Sequence, residues 1–263
     1  MPFSDVIHLQ QPQRPWAELQ ACSNFTFLTG GSHPEEYMDR AALLGLSGVA
    51  IADVNSVAGI VRAHTRSREI ARLVAERQTF DRDVGLIGPS APLECKPSPS
   101  AQIYNTPSLL PAAKIVLRDG FAATLLPVNR SGWGRLCRLI SRGRLRAEKG
   151  TCDIGLDDLL AFGVDQLMVP HAPPTEKVQA GATSWVSQAR SLIRRFPQDV
   201  MLLLAPAYDG QDARRFEDIA AFAHTLSVPL VASAAPVMHH GSRRRLTDAL
   251  TAIRLGVRVD ALG

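Results

Sequence analysis

The amino-acid sequence predicts an α/β fold whose parallel strands close into a barrel. Three observations carry this. Short apolar runs alternate with amphipathic helical stretches, the pattern of parallel βαβ units covered by helices on their faces. Five or more such units can be counted, which favours a barrel, although spacing alone leaves an open sheet standing. The chain has 263 residues, enough for one large barrel or two small domains.

The elements follow in order. Residues 16–22 (WAELQAC) alternate and predict a strand with Glu18, Gln20 and Cys22 on one face. Ser32 and Glu35 have capping-box spacing, and Pro34 suits a first helical turn; that helix should reach Leu44 and stop at Gly45. GVAIAD (48–53) predicts a buried strand, and a helix over 56–76 should carry Val57, Ile60, Val61 and His64 on one side. Six prolines among serines crowd residues 89–111, which predicts an exposed, poorly ordered insertion within a single domain spanning 1–263. AKIVLRDG and AATLLPV surround Asp119-Gly120 as a hairpin. A basic amphipathic helix (131–142), a short helix (156–162) and the strand QLMVP (166–170) come next. The last third alternates regularly: helix 182–196, strand 200–206, helix 211–226, strand 228–234 and helix 243–255. Phe216, Ile219, Ala220 and Ala223 form one stripe that should pack on a sheet.

Composition bounds the function. Apolar residues make up 46% and the mean hydropathy is 0.00, as for a chain with a sizeable core. No apolar run approaches the roughly 18 residues of a membrane helix, and the first residues carry no secretion signal. The expectation is therefore a cytoplasmic protein with no membrane partner. Cys22, Cys95, Cys137 and Cys152 are scattered without a CxxC pair and read as reduced thiols. A net charge of +4 and a pI near 9.1 permit a nucleic-acid partner without demanding one. The basic excess is concentrated in Arg130, Arg135, Arg138, Arg142, Arg144, Arg146 and Lys149, and again in Arg243, Arg244 and Arg245.

In a parallel barrel the chemistry sits at the carboxyl ends of the strands. That selects Cys22 to Asn24, Asp53 to Asn55, His171, Ala207 to Asp209 and Ala234 to His240. Three separated blocks there and beyond carry a resemblance. The stretch ELQACSNFTFLTGGSHPEEYMDRAALLGLSGVAIADVNSVAGIVRAH, the stretch GWGRLCRLISRGRLRAEKGTCDIGLDDLL and the stretch VPLVASAAPVMHHGSRRRLTDALTAIRLG cover about two-fifths of the chain in order. Together they resemble the N-terminal PHP domain of bacterial error-prone (translesion) DNA polymerases of the C family, relatives of the polymerase III alpha subunit.

The resemblance implies a distorted (β/α)7 barrel. In active members His, Asp, Glu and Cys side chains at the strand ends hold several metal ions that hydrolyse phosphoesters by activating water. This sequence departs from those motifs. The family's His-x-His is Gln20-Ala21-Cys22, its Thr-Asp-His is Ala52-Asp53-Val54, and its Asp-x-His is Ala235-Pro236-Val237. At least five of six ligand positions are altered, and hydrocarbon cannot coordinate a cation. The expectation is a degenerate, non-catalytic domain of a polymerase that serves DNA repair and translesion synthesis, without cofactor. The alternative is an active phosphoesterase or 3′–5′ exonuclease with zinc or manganese in a site rebuilt from Asp53, His33, His171 and His239. Structural readings stand beside it: His33 as a helix-entry residue, Asp53 as an acceptor for amides of its own DVNS turn, His239-His240 as solvated, Cys22 as a small core filler. His171 is undecided.

Expected partners are the remaining polymerase domains or other translesion proteins, and DNA. The arginines divide evenly between phosphate contacts and a solvated or domain-contacting face, while Trp133 reads as core. In the family the polymerase palm follows this domain, so the chain is expected not to polymerise DNA alone, as a truncated product or an excised domain.

Overall fold

The structure is a computed structural model that describes residues 15–83, 106–172 and 175–262, with side chains of 80–83 and 173–184 left aside. It is an α/β fold built largely on parallel pairing. β1 (Ala17–Ala21) pairs in parallel with β2 (Gly48–Ile51), and β2 with β3 (Ser108–Pro111). Ala112, fully buried, alone separates β3 from β4 (Ala113–Val116), so the two are pieces of one extended run. A parallel bridge from Val54 to Lys114 ties β4 to the residues following β2. β7 (Leu202–Leu204) and β8 (Leu230–Ala232) pair in parallel, and a parallel Met168–Val200 bridge joins β6 (Gln166–Pro170) to β7.

β5 (Ala122–Pro127) is the exception, antiparallel to both β4 and β6. The reason is local. Leu117 N–H donates to Phe121 O, Gly120 takes φ +89°, and Asp119 accepts from Phe121 N–H, closing the predicted hairpin. So short a link cannot make a parallel crossover. Between β8 and β1 the described residues show no ladder. The Glu18 carboxylate spans the gap, accepting from Ser233 Oγ and from Ala234 N–H at 3.0 Å, and Cys22 N–H donates to Pro236 O at 2.9 Å.

Among the described residues seven α-helices pack outside the strands: α1 (Pro34–Leu43), α2 (Ile60–Asp83), α3 (Arg130–Arg146), α4 (Leu156–Phe162), α5 (Thr175–Arg195), α6 (Asp212–Leu226) and α7 (Arg244–Leu255). Tyr37, Met38 and Ala41 of α1 and Ile60, Ala63 and Ile70 of α2 cover Ala21, Val49 and Ile51. Leu136, Leu139 and Leu159 and the α5–α6 residues Leu192, Ile219 and Ala223 cover β4 to β7. Ala50, Ala52, Ala112, Leu126, Val169 and Leu203, from five strand regions, meet on the opposite side as an inner cluster.

Several expectations change in detail. A register shift between Glu18 and Ala21 breaks the simple alternation of β1. The cap of α1 is His33, not Ser32: its N–H donates to Glu36 Oε2 at 2.8 Å. Gly45 takes the left-handed conformation that ends α1, as its residue type predicts. α2 turns Ala63 and Ile70 inward and leaves Val61 and His64 exposed. The insertion expected over 89–111 lies outside the described residues up to 105, but Ser108–Pro111 is strand, because β2 offers it a full parallel register. Trp133 packs on both outer clusters, as a core residue.

Candidate functional site at the strand ends

Asp53 follows β2 and is 1% exposed. Its Oδ1 accepts from Ser23 N–H at 2.9 Å and from Thr26 Oγ1 at 2.8 Å, and its Oδ2 accepts from Ser23 Oγ at 2.7 Å. Thr26 Oγ1 in turn accepts from Val54 N–H at 3.0 Å. The carboxylate thus stitches the turn after β1 to the end of β2, and does not bond its own DVNS turn as the sequence predicts. Burial pushes its carboxyl above the ordinary range, and the Ser23 and Thr26 donors offset this only in part. A side chain on Gly59 would bring its Cβ to 2.8 Å from Asp53 Oδ2, so the far side is closed as well.

Lys114 sits beside this knot. Its N–H donates to Asp53 O at 3.0 Å and its carbonyl accepts from Asn55 N–H at 2.9 Å. Ala113 and Ile115 belong to the outer core, and Ala112 to the inner cluster, so alternation turns Lys114 inward. It lies directly across from Thr124 of β5 in the antiparallel register. Thr124 is fully buried, and its hydroxyl pairs with His171 Nε2 at 2.9 Å. The next backbone link repeats the arrangement: His171 N–H donates to Ala122 O at 2.9 Å, and Trp185 Nε1 donates to His171 O at 2.7 Å.

Burial drives the His171 imidazole down to about 3, with the Lys114 charge adding to the effect, so the ring is neutral at physiological pH. Burial also lowers Lys114, while the negative form of Cys22 would raise it. The Cys22 thiol is pushed up to about 11, chiefly by burial, with Thr26 and Lys114 pulling the other way. Among the described residues the Lys114 ammonium makes no hydrogen bond or ion pair. The amide nitrogen of Gln20, near the end of β1, is buried without a partner. Sequence reasoning passed over Lys114; its alternation with Ala112 in AAKIV was the available signal.

The other candidates lie elsewhere. Tyr37 Oη donates to Cys22 O at 2.9 Å and Pro236 O at 3.1 Å, so the Ala235–Val237 stretch is fastened to β1 and α1 by main-chain acceptors. His239 Nδ1 pairs with Ser32 Oγ at 2.8 Å and lies 3.7 Å from Glu36. It is half-buried, which corrects the solvated reading; His240 is exposed. Burial lowers His239, against the pull of Glu36. Exposed His33 caps α1. His33 and His239 thus gather at the start of α1, and among the described residues neither imidazole hydrogen-bonds Asp53, Thr124 or His171. Among the described residues no three His, Cys, Asp or Glu side chains form a group that could hold a metal ion. The side chains present suit one poorly: Asp53 already accepts three hydrogen bonds, His171 Nε2 pairs with the Thr124 hydroxyl, and Lys114, which has no metal-ligating partner of its own, stands beside them.

The arginines are mostly occupied. Arg135 pairs with Asp165. Arg142 and Arg146 flank Asp158 at 3.4 and 2.7 Å, where the Gly155 N–H also donates. With Arg118 they line a recess of about 420 Å³ whose acids balance them. Arg144 donates to Asn55 O at 3.1 Å, Arg138 to Gly134 O at 3.2 Å, and Arg243 pairs with Glu36. Arg244 stands 3.8 Å from Asp248. Arg130 is exposed and makes no such contact among the described residues.

Comparison places this geometry among known proteins. No protein-family model matches the chain. It is 39% identical over 251 residues to an error-prone DNA polymerase of Ruegeria pomeroyi, covering 94% of this chain and 22% of that protein. An error-prone DNA polymerase of Brucella abortus is 36% identical over 250 residues, covering 95% and 20%. The chain spans about a fifth of the length of the curated relatives it matches. Among solved structures, a Bifidobacterium adolescentis protein described as a candidate metal-dependent phosphoesterase aligns with a TM-score of 0.51 at 13% identity, over 94% of this chain and 100% of that one. That likeness concerns the fold.

Proposed function

Because the chain is a relative of the error-prone DNA polymerases along one-fifth of their length, we propose that it is the amino-terminal PHP domain of such an enzyme, acting as a scaffold without hydrolytic chemistry. In this reading the strands form a distorted seven-stranded barrel, with β3 and β4 counted as one strand and Glu18 bridging the ends. The domain would hold the polymerase core on DNA or on translesion partners during repair synthesis in the cytoplasm.

The observation that supports this best is Asp53. The family's motifs leave it as the one retained ligand, and both its oxygens are taken by the turn after β1. A second feature supports a partner-binding role. Ile253, 64% exposed, lies with Leu246, Val257 and Val259 along and beyond α7, an apolar surface of the kind that interfaces cover. Helix α3 supports a DNA surface less, since most of its arginines have partners within the chain.

Metal analysis of the purified chain tests the reading. The expected result is less than one equivalent of zinc or manganese per chain, with no chelator-sensitive exonuclease or phosphatase turnover. Two or more tightly bound ions with turnover abolished by chelation would overturn it and favour the active phosphoesterase.

A further inference from the structure

We infer that the outward face of α7 seats an amphipathic helix whose apolar stripe is bordered by carboxylates, supplied by the same polypeptide from outside this domain. That assignment rests on the reading of the chain as one domain of a longer polymerase. α7 keeps apolar side chains on the face turned away from the domain, where a surface helix ordinarily places polar ones. Its inward side is fixed by Thr247 and Ala252, both buried, with the Thr247 hydroxyl against Gly31 and Met238. At about 100° per residue, Leu246, Leu250 and Ile253 fall within about 60° of one another on the opposite side. Leu246 is 43% and Ile253 64% exposed, and Val257 carries the stripe past the helix end. At its start the stripe opens into a recess of about 270 Å³ between α7 and the loop after β1, lined by Leu246, Leu250, Phe27 and Leu28. Phe27 is 83% exposed. Recesses of this kind accept the large apolar side chain that anchors a docked helix.

Charge selects the occupant. Arg245 and Arg254 stand on opposite borders of the stripe, about 180° apart around the helix. Both are exposed, and among the described residues neither makes a hydrogen bond or ion pair. Arg243 and Arg244, by contrast, have Glu36 and Asp248. A second copy of the chain would repeat the same patch across a two-fold axis and set these arginines against one another. A nucleic acid would have to lay its phosphates over hydrocarbon to reach both. A helix with leucine-like residues along one stripe and Asp or Glu on its borders meets the stripe and both guanidiniums together. Area selects the source. A strip about 17 Å long and about 10 Å wide offers on the order of a few hundred Å², against roughly 800 Å² per partner in a standard complex of free proteins. So small a patch holds a segment that linkage in one chain keeps at high local concentration. The chain spans about a fifth of the curated relatives, so the remaining four-fifths would provide it.

The probes are two synthetic helical peptides with the same leucine stripe, bordered by glutamates in one and by lysines in the other. In amide NMR of the wild-type chain, the glutamate peptide should shift Phe27, Leu246, Ile253 and Val257, and bind at least about tenfold tighter than the lysine peptide. Ile253→Glu should weaken it about tenfold or more without moving the melting midpoint, because that side chain is exposed. Arg245→Glu combined with Arg254→Glu should reverse the preference. Should either variant not fold, the wild-type titration with the two peptides decides alone. The source is read in the intact polymerase carrying this domain, with a photo-crosslinking residue in place of Ile253; peptide mapping should find an acid-bordered helix of the same polypeptide. Equal binding of the two peptides, shifts centred elsewhere, or crosslinks to a second copy, to DNA or to nothing would each refute the docking face. The domain reading fails separately: a native product with no more mass than this chain overturns it, whatever the peptides do.

Discussion

Replacing Asp53 with alanine should destabilise the chain strongly and leave its metal content unchanged. The substitution removes the acceptor of three hydrogen bonds, from Ser23 N–H at 2.9 Å, Ser23 Oγ at 2.7 Å and Thr26 Oγ1 at 2.8 Å. A buried donor left unmatched costs about 1–3 kcal/mol. The two hydroxyls can rotate toward other acceptors, and a water can enter the hole left behind. The Ser23 amide has no such freedom. The net cost is therefore on the order of 3–5 kcal/mol, a large share of the roughly 5–15 kcal/mol that holds a typical domain together. At about 2–4 °C per kcal/mol for a domain of this size, the melting midpoint should fall by around 10 °C. Urea unfolding followed by circular dichroism gives the same quantity independently, through a lower midpoint at unchanged slope. Asp53→Asn should fall between, since its amide oxygen still accepts on one side. The reasoning fails if Asp53→Ala melts within 2 °C or so of wild type, or if it sheds a stoichiometric metal that the wild type held. A carboxylate that served as a metal ligand would show that second pattern, because its removal takes a donor from the ion.

Other outcomes follow from the same geometry. Tyr37→Phe should cost about 1–2 kcal/mol in chemical denaturation, because the Cys22 and Pro236 carbonyls lose their shared donor; a neutral result would mean that water replaces the phenol freely. Cys22 should alkylate far more slowly at pH 8 than in urea, with its thiol held up to about 11; equal rates by mass spectrometry would contradict its burial. Asp158 should make the fold acid-sensitive. Burial opposes its ionisation, but the Gly155 N–H, Arg146 and Arg142 outweigh this and hold the carboxyl below its ordinary value. A depressed carboxyl stabilises the fold above the ordinary carboxylate range, and the contribution drains away as pH drops through and below that range. Asp158→Asn should therefore lose about 1–2 kcal/mol at neutral pH and much less near pH 3 in pH-resolved melting curves; a loss independent of pH would refute the assignment.

The elements were legible in the sequence because each carries its own local signal. Asp119-Gly120 announces a hairpin, Gly45 stops α1, and the Ile219–Ala223 stripe seats α6. Boundaries were less legible where a distant partner decides them. Ser108–Pro111 reads as proline-rich loop until β2 supplies a parallel neighbour. The altered ligand motifs were visible at once as glutamine, alanine and valine, since residue type alone excludes coordination. The environment of Asp53 was not, because its donors come from thirty residues earlier in the chain. Nor was Lys114: a charged residue in an alternating strand reads as solvent-facing, and only the outer core at Ala113 and Ile115 reveals that this strand is buried on both sides. For the arginines, sequence supplied the charges and withheld the acids opposite them, Asp158 and Asp165.

Glu18 gives the assembly of the strands an unusual timetable. The acceptor on β1 and its donor Ser233 are 215 residues apart. During synthesis the first strand therefore leaves the ribosome long before its last neighbour exists, and a carboxylate destined for the interior must stay hydrated meanwhile. Long-range closure of this kind is slow. The amino-terminal strands can consolidate against α1 and α2 early, but the Glu18 contacts to Ser233 and Ala234 form only once that late segment has emerged, so nascent chains halted before Ser233 should lack this link between β1 and the residues after β8.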